Sequence, residues 1–193
     1  MAKVYLILGG ARSGKSSYGE ELAASISGKV AYLATAKITD REMEKRIAAH
    51  RRRRPKEWTT FELGKNSLEK KDIKKMFHDM EKQGHSTVLI DCITNMLFRL
   101  IDGYELDKLE TISNKLEIEI EKKVLGFFKF FIKLIKSTGL NVIIISNEIG
   151  LGVVPAFPLG RIFRDLMGMI NKDMAAGADE VYFFIAGLKQ RLK

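Results

Sequence analysis

An apolar run that ends in glycines and passes straight into a helical pattern constrains this chain most. Lys3 to Leu8 (KVYLIL) reads as a strand, Gly9-Gly10-Ala11-Arg12-Ser13-Gly14-Lys15-Ser16 follows without a gap, and a helix is predicted over about 15–27. Those eight residues fit G-x-x-x-x-G-K-[ST] at every fixed position, with the strand before and the helix after that the pattern requires.

Four further apolar runs repeat the theme: KVAYLA at 29–34, TVLID at 87–91, NVIIIS at 141–146 and EVYFFIA at 180–186. They are continuous rather than alternating, as expected of strands buried on both faces of a parallel sheet. Helical patterns lie between them at about 40–54, 67–83, 106–137 and 159–177, the third with a break expected near Gly126. Strand–helix alternation of this kind means α/β with right-handed crossovers and helices on both faces. The 193 residues, 46% hydrophobic, suffice for one core, and no repeat or linker divides them, so a single domain over 1–193 is expected.

Other classes are disfavoured. The single cysteine, Cys92, excludes an intramolecular disulfide and fits a reducing compartment. Met1 runs into a short apolar strand that stops at Gly9, too short for a signal peptide with a cleavage site. The run VLGFFKFFIKLI is interrupted by Lys129 and Lys133, so no membrane span is expected and the protein reads as soluble and cytoplasmic. The net charge of +9 admits a nucleic-acid binder or a nucleotide enzyme. Its densest run, Arg51 to Arg54, meets no aromatic residue until Trp58, which does not suggest stacking on bases.

The residues of the first motif have a definite chemistry. Gly9 and Gly14 permit backbone geometry in which successive N–H groups, from Gly10 through Ser13, point at phosphate oxygens. Lys15 reaches the outer phosphates, and the Ser16 hydroxyl suits magnesium. Such a cradle needs an acidic residue at the end of another strand, which Asp91 of VLIDCITNM supplies; the competing reading is an Asp that caps the next helix. Cys92 reads as a packed small apolar residue.

His50 lies in ITDREMEKRIAAHRRRRPKEW, a helical pattern that Asp40 can cap and Pro55 ends. On that helix it shares a face with Met43, Ile47 and Arg54, with Arg46, Arg53 and Arg54 a turn away. Neighbouring cations keep an imidazole neutral near pH 7, and a neutral imidazole can attack phosphorus. The other reading is a histidine on a solvated basic helix. His78 and His85 read as surface residues.

Five stretches carry a resemblance that runs nearly end to end: LGGARSGKS, YLATAKITDREMEKRIAAHRRRRPKEWTTFE, LIDCITNML, SNEIGLGVVP and RIFRDLMGMINKDMAAGADEVYFFIAG. The chain resembles the bifunctional adenosylcobinamide kinase/adenosylcobinamide-phosphate guanylyltransferases of cobalamin biosynthesis, and the blocks around His50 and Glu148 are its most specific parts. The resemblance implies a RecA-like P-loop NTPase fold and a homotrimer. It implies that His50 attacks the α-phosphate of GTP, forming a GMP–histidine intermediate that passes GMP to adenosylcobinamide phosphate. It implies kinase activity on the aminopropanol hydroxyl of adenosylcobinamide, with ATP or GTP as donor and Mg2+ as cofactor. By position, Arg51, Arg52, Arg53 and Arg54 lie along the guanine nucleotide, Ala34, Thr35 and Ala36 form a second contact segment, and Glu62 and Asp91 contact nucleotide. Nucleic acid is not needed to explain the arginines. The rival readings are a P-loop kinase with an inert His50 and a basic NTPase that works on nucleic acid. Glu148 orients substrate or metal, or serves its own turn. Gly150 and Gly152 permit a sharp backbone course, and Asn171 and Asp165 serve a corrinoid pocket or a subunit interface.

Overall fold

A computed structural model describes residues 2–37, 41, 48, 52, 54–64 and 68–193. Its strands are β1 (Val4–Gly9), β2 (Lys29–Ala34), β3 (Thr59–Glu62), β4 (His85–Asp91), β5 (Asn141–Asn147), β6 (Glu180–Ile185) and β7 (Leu188–Arg191). They form one seven-stranded sheet in the order β3-β2-β4-β5-β1-β6-β7. Every pair is parallel except β6 with β7, which a tight turn joins as an antiparallel hairpin. The helices are α1 (Lys15–Ser25), α2 (Lys70–Lys82), α3 (Ile93–Ile101), α4 (Asn114–Ser137) and α5 (Pro158–Gly177).

The continuous apolar runs do what their pattern predicts. Leu6, Leu33, Val88, Ile90, Val142 and Ile144 point to one face and pack with α2, α3, α4 and α5. Their neighbours Ile7, Tyr32, Leu89, Ile143 and Ile145 point to the other, where Ala23, Tyr18 and Leu22 of α1 cover them. Phe127, Phe128 and Phe131 of α4 are buried in the first of these cores, so the apolar stretch at 124–135 is core.

The structure departs from expectation at the edges. β3 is half exposed and alternating and β7 wholly exposed, so neither has the apolar run that marks the inner strands. The helix expected from 106 begins at Asn114, because the Ser113 hydroxyl accepts the amide of Leu116 at 3.3 Å and caps it there. Two short 3₁₀ turns, Asp102–Tyr104 and Leu106–Lys108, precede it, and the helix passes unbroken through Gly126. α3 is a separate helix that was not expected as an element. The helix expected over 40–54 falls mostly outside the described residues. Among the described residues, no helix is long and apolar enough to cross a membrane.

Candidate nucleotide site

Because β1 to β6 run parallel, their carboxyl ends share one edge of the sheet, where open α/β folds gather ligands. The cradle leaves β1 at that edge. Gly14 caps α1 with a left-handed backbone at φ 94°, a conformation that glycine adopts without steric cost. A Cβ on Gly9 would lie 2.6 Å from Ser13 Oγ and 2.8 Å from the Phe184 carbonyl, so the turn closes only around glycine. Ser13 Oγ is buried without a hydrogen-bond partner. Lys15 is buried, and its Nζ donates to the Gly10 carbonyl at 2.9 Å. Burial lowers its ammonium below the usual lysine range, against the attraction of Cys92 and Asp91.

Across the sheet, Ala34 of β2 pairs with Glu62 of β3 on one side and Asp91 of β4 on the other. Residues paired across parallel strands project to the same face, so Glu62 and Asp91 flank Ala34 on the α1 side, their backbone positions about 10 Å apart at two strand spacings. The Tyr32 hydroxyl donates to Asp91 Oδ2 at 2.9 Å, and the Arg54 guanidinium lies over the Tyr32 ring, 3.4 Å from its centroid. The residue at the N-cap of α3 is Cys92, one place beyond Asp91. A glycine cradle, a buried lysine and an acidic strand end therefore converge on one edge, which suits a polyphosphate.

Comparison with known proteins agrees with that chemistry. The family described as cobinamide kinase / cobinamide phosphate guanyltransferase matches residues 5–192. The chain belongs to it. The bifunctional adenosylcobalamin biosynthesis protein CobU of Escherichia coli K12 is 32% identical over 194 residues, covering 97% of this chain and 98% of that protein. CobP of Pseudomonas aeruginosa PAO1, described in the same words, is 35% identical over 188 residues, covering 97% and 96%. Among solved structures, a prototypical ATPase from the type III secretion system of pathogenic bacteria superposes with a TM-score of 0.54 at 13% identity. That match covers 99% of this chain and 58% of the ATPase, and it supports an α/β P-loop fold alone.

In this cobinamide kinase family member the remaining predicted residues divide. His50, Arg51 and Arg53 lie outside the described residues. Of the described arginines of the block, Arg52 is exposed and Arg54 lies over the Tyr32 ring. Thr35 is fully buried and committed to structure: its amide donates to the Asp91 carbonyl at 3.3 Å and its hydroxyl to the Cys92 carbonyl at 2.8 Å. Ala36 follows it, half-buried. Cys92 is buried, and burial pushes its thiol up to about 11, which fits a packing residue.

Several residues at the edge were not anticipated. Tyr32 stood in the middle of an apolar run, where nothing marked its hydroxyl. Arg99 of α3 donates to the Thr35 carbonyl at 3.4 Å and to the Gly64 carbonyl, tying together the ends of β2 and β3. Asn147, paired with Gly9 at the end of β5, donates from Nδ2 to Thr94 Oγ1 at 3.0 Å. Asn171 is buried and bonded within the chain, its Oδ1 accepting Ser146 Oγ at 2.7 Å; Asp165 pairs with Arg164 on the surface. Glu148 Oε1 accepts the Gly150 amide at 2.6 Å, which serves the turn. His78 is exposed as expected, whereas His85 is buried in β4, edge-on to Phe61, with Nδ1 3.0 Å from the Met80 carbonyl.

Proposed function

We propose that this chain phosphorylates the aminopropanol hydroxyl of adenosylcobinamide and then transfers GMP from GTP to the phosphate so formed, giving adenosylcobinamide-GDP. The observation that carries the reading is the meeting of the glycine cradle, Lys15 and Asp91 at one sheet edge in a chain that matches its family from residue 5 to 192.

In the kinase step the substrate hydroxyl attacks the terminal phosphorus, and the bond to the bridging oxygen breaks as the nucleoside diphosphate leaves. Backbone amides of the glycine cradle and the ammonium of Lys15 hold the charge that develops on the phosphate oxygens. In the transfer step a lone pair of the His50 imidazole attacks the α-phosphorus of GTP, and pyrophosphate departs. A phosphate oxygen of adenosylcobinamide phosphate then attacks the same phosphorus, the P–N bond breaks, and histidine is regenerated. Splitting the transfer in two means that corrinoid and pyrophosphate need not be bound together. Arg51, Arg52, Arg53 and Arg54 are assigned to GTP, with Ala34, Ala36 and Glu62 along the nucleotide and the buried Thr35 holding that segment in place.

Magnesium fits this edge. Ser16 and Asp91 offer hard oxygen donors beside a cradle for phosphates, the combination in which this ion keeps waters and takes few protein ligands. When bound, it neutralises charge on the triphosphate tail. The whole chain is taken to act as one domain and, by resemblance, as a cytoplasmic homotrimer. The exposed apolar side chains of Leu151, Val153, Phe157, Leu188 and Leu192 offer surface for subunit contacts.

The test is to incubate wild type and His50→Ala with magnesium and α-labelled GTP. The expected result is label on the wild type alone, stable to alkali and lost in acid, as a phosphoramidate behaves. Absence of label on both, with phosphorylation of adenosylcobinamide preserved, would leave a kinase alone.

A further inference from the structure

We infer that Tyr32 is a positioning residue for the reaction, holding the Asp91 carboxylate toward the phosphate edge while Arg54 clamps its ring from the basic block. The inference rests on the reading of Asp91 as the carboxylate that faces magnesium.

The register puts the two side chains within reach of each other. Tyr32 pairs with Leu89 and Ala34 with Asp91, so the Tyr32 side chain reaches diagonally, on a shared face, to the residue two places further along β4. Tyr32 is 2% exposed and packs within the core that Ala23, Leu89 and Cys92 share. A phenol at that depth must find an acceptor, and the one it finds is Asp91 Oδ2 at 2.9 Å. Donation to a carboxylate is among the stronger neutral-donor hydrogen bonds, and it limits rotation of the carboxylate about its own bonds. The Arg54 guanidinium covers the ring at 3.4 Å and favours this orientation. Arg54 belongs to the arginine run that begins next to His50. The chain of contacts from Arg54 through Tyr32 to Asp91 thus joins the segment assigned to guanylyl transfer with the acid of the cradle.

Tyr32→Phe removes the O–H and keeps the ring under Arg54. It is compared with Asp91→Asn and wild type by calorimetric titration of GDP with and without magnesium, and by the magnesium dependence of the kinase step. The expected result is unchanged GDP affinity without metal, a magnesium-dependent gain in affinity reduced by about tenfold in Tyr32→Phe, and a matching rise in half-saturating magnesium. Asp91→Asn should lose that gain, and the double variant should resemble Asp91→Asn alone. A purely structural tyrosine would lower the melting temperature without moving the magnesium requirement. If Asp91→Asn alters the metal requirement and Tyr32→Phe does not, the inference for Tyr32 is overturned and the role of Asp91 stands. If neither variant alters it, the reading of Asp91 falls and the inference with it.

Discussion

The backbone amide of Glu148 donates to the carbonyl of Gly9 at 3.1 Å, so the loop that leaves β5 is tied to the first residue of the glycine cradle. The tie is braced from α5. Asn171 accepts the buried Ser146 hydroxyl at 2.7 Å and donates to the Asn147 carbonyl at 3.0 Å and to Glu148 Oε2 at 3.5 Å. Three consecutive residues at the end of β5 therefore answer to one amide side chain.

Asn171→Ala should consequently destabilise the protein by about 1–3 kcal/mol, because the fully buried Ser146 hydroxyl loses its partner. For a chain of this length that corresponds to a fall of about 2–4 °C in melting temperature per kcal/mol. Thermal unfolding followed by circular dichroism checks it. An unchanged melting temperature would mean that another acceptor takes the hydroxyl.

Lys15→Met should separate activity from stability. Both reactions should fall by about 100- to 1000-fold, the usual consequence of removing one preorganised donor from a developing charge. Stability should stay within about 1 kcal/mol, since the lost hydrogen bond to Gly10 is offset by relief of a buried charge. Steady-state rates with adenosylcobinamide and with its phosphate, beside urea unfolding, give both numbers.

Gly9→Ala should cost about 1–3 kcal/mol through overpacking, as its Cβ would meet Ser13 Oγ and the Phe184 carbonyl inside van der Waals contact. Nucleotide affinity should fall with it, because either Ser13 or β6 has to move. Gly10→Ala is the control: a Cβ there meets nothing within 4 Å, so stability should hold.

Cys92 supplies a pH signature. Its thiol rises from an ordinary 9.0 to about 11 in the folded protein, so between those values the folded state holds a proton that the unfolded chain gives up. Stability is therefore full below about pH 9 and declines toward pH 11, with a contribution from this group of at most about 1.4 kcal/mol per pH unit. Cys92→Ala should flatten that part of the curve in chemical unfolding measured at stepped pH. Native Cys92 should also resist iodoacetamide at pH 8 and react once unfolded.

The cradle was legible in the sequence because it is local: eight consecutive residues carry their own geometry, and the flanking strand and helix need no distant partner. Asp91 was legible for the same reason, as the polar end of an apolar run. Tyr32 was not, and Asn171 was singled out without its bonds to the end of β5, since these roles come from register across strands and from packing of a helix far along the chain. β3 and β7 escaped notice because edge strands need bury little. His85 was misplaced on the surface because the polar residues His85 and Ser86 look like a loop; β4 begins there, and the imidazole is covered by Phe61 and Met80. The α/β alternation and the inner strands follow from hydrophobic pattern, and the RecA-like P-loop class from the motif and the resemblance, whereas His50 lies outside the described residues and its role rests on the motif that contains it.

One consequence of the sheet order concerns β2. It is the strand that separates β3 from β4, and its Ala34 stands between Glu62 and Asp91. The two acidic positions at this edge are thus held apart by one strand, with a single methyl group between them. A larger residue at position 34 would crowd that gap without touching the glycine turn, and a one-residue slip of β2 would turn Tyr32 and Ala34 to the opposite face together. The spacing of the acidic positions and the bracing of one of them are inherited from the same strand, so a shift of β2 would disturb both at once.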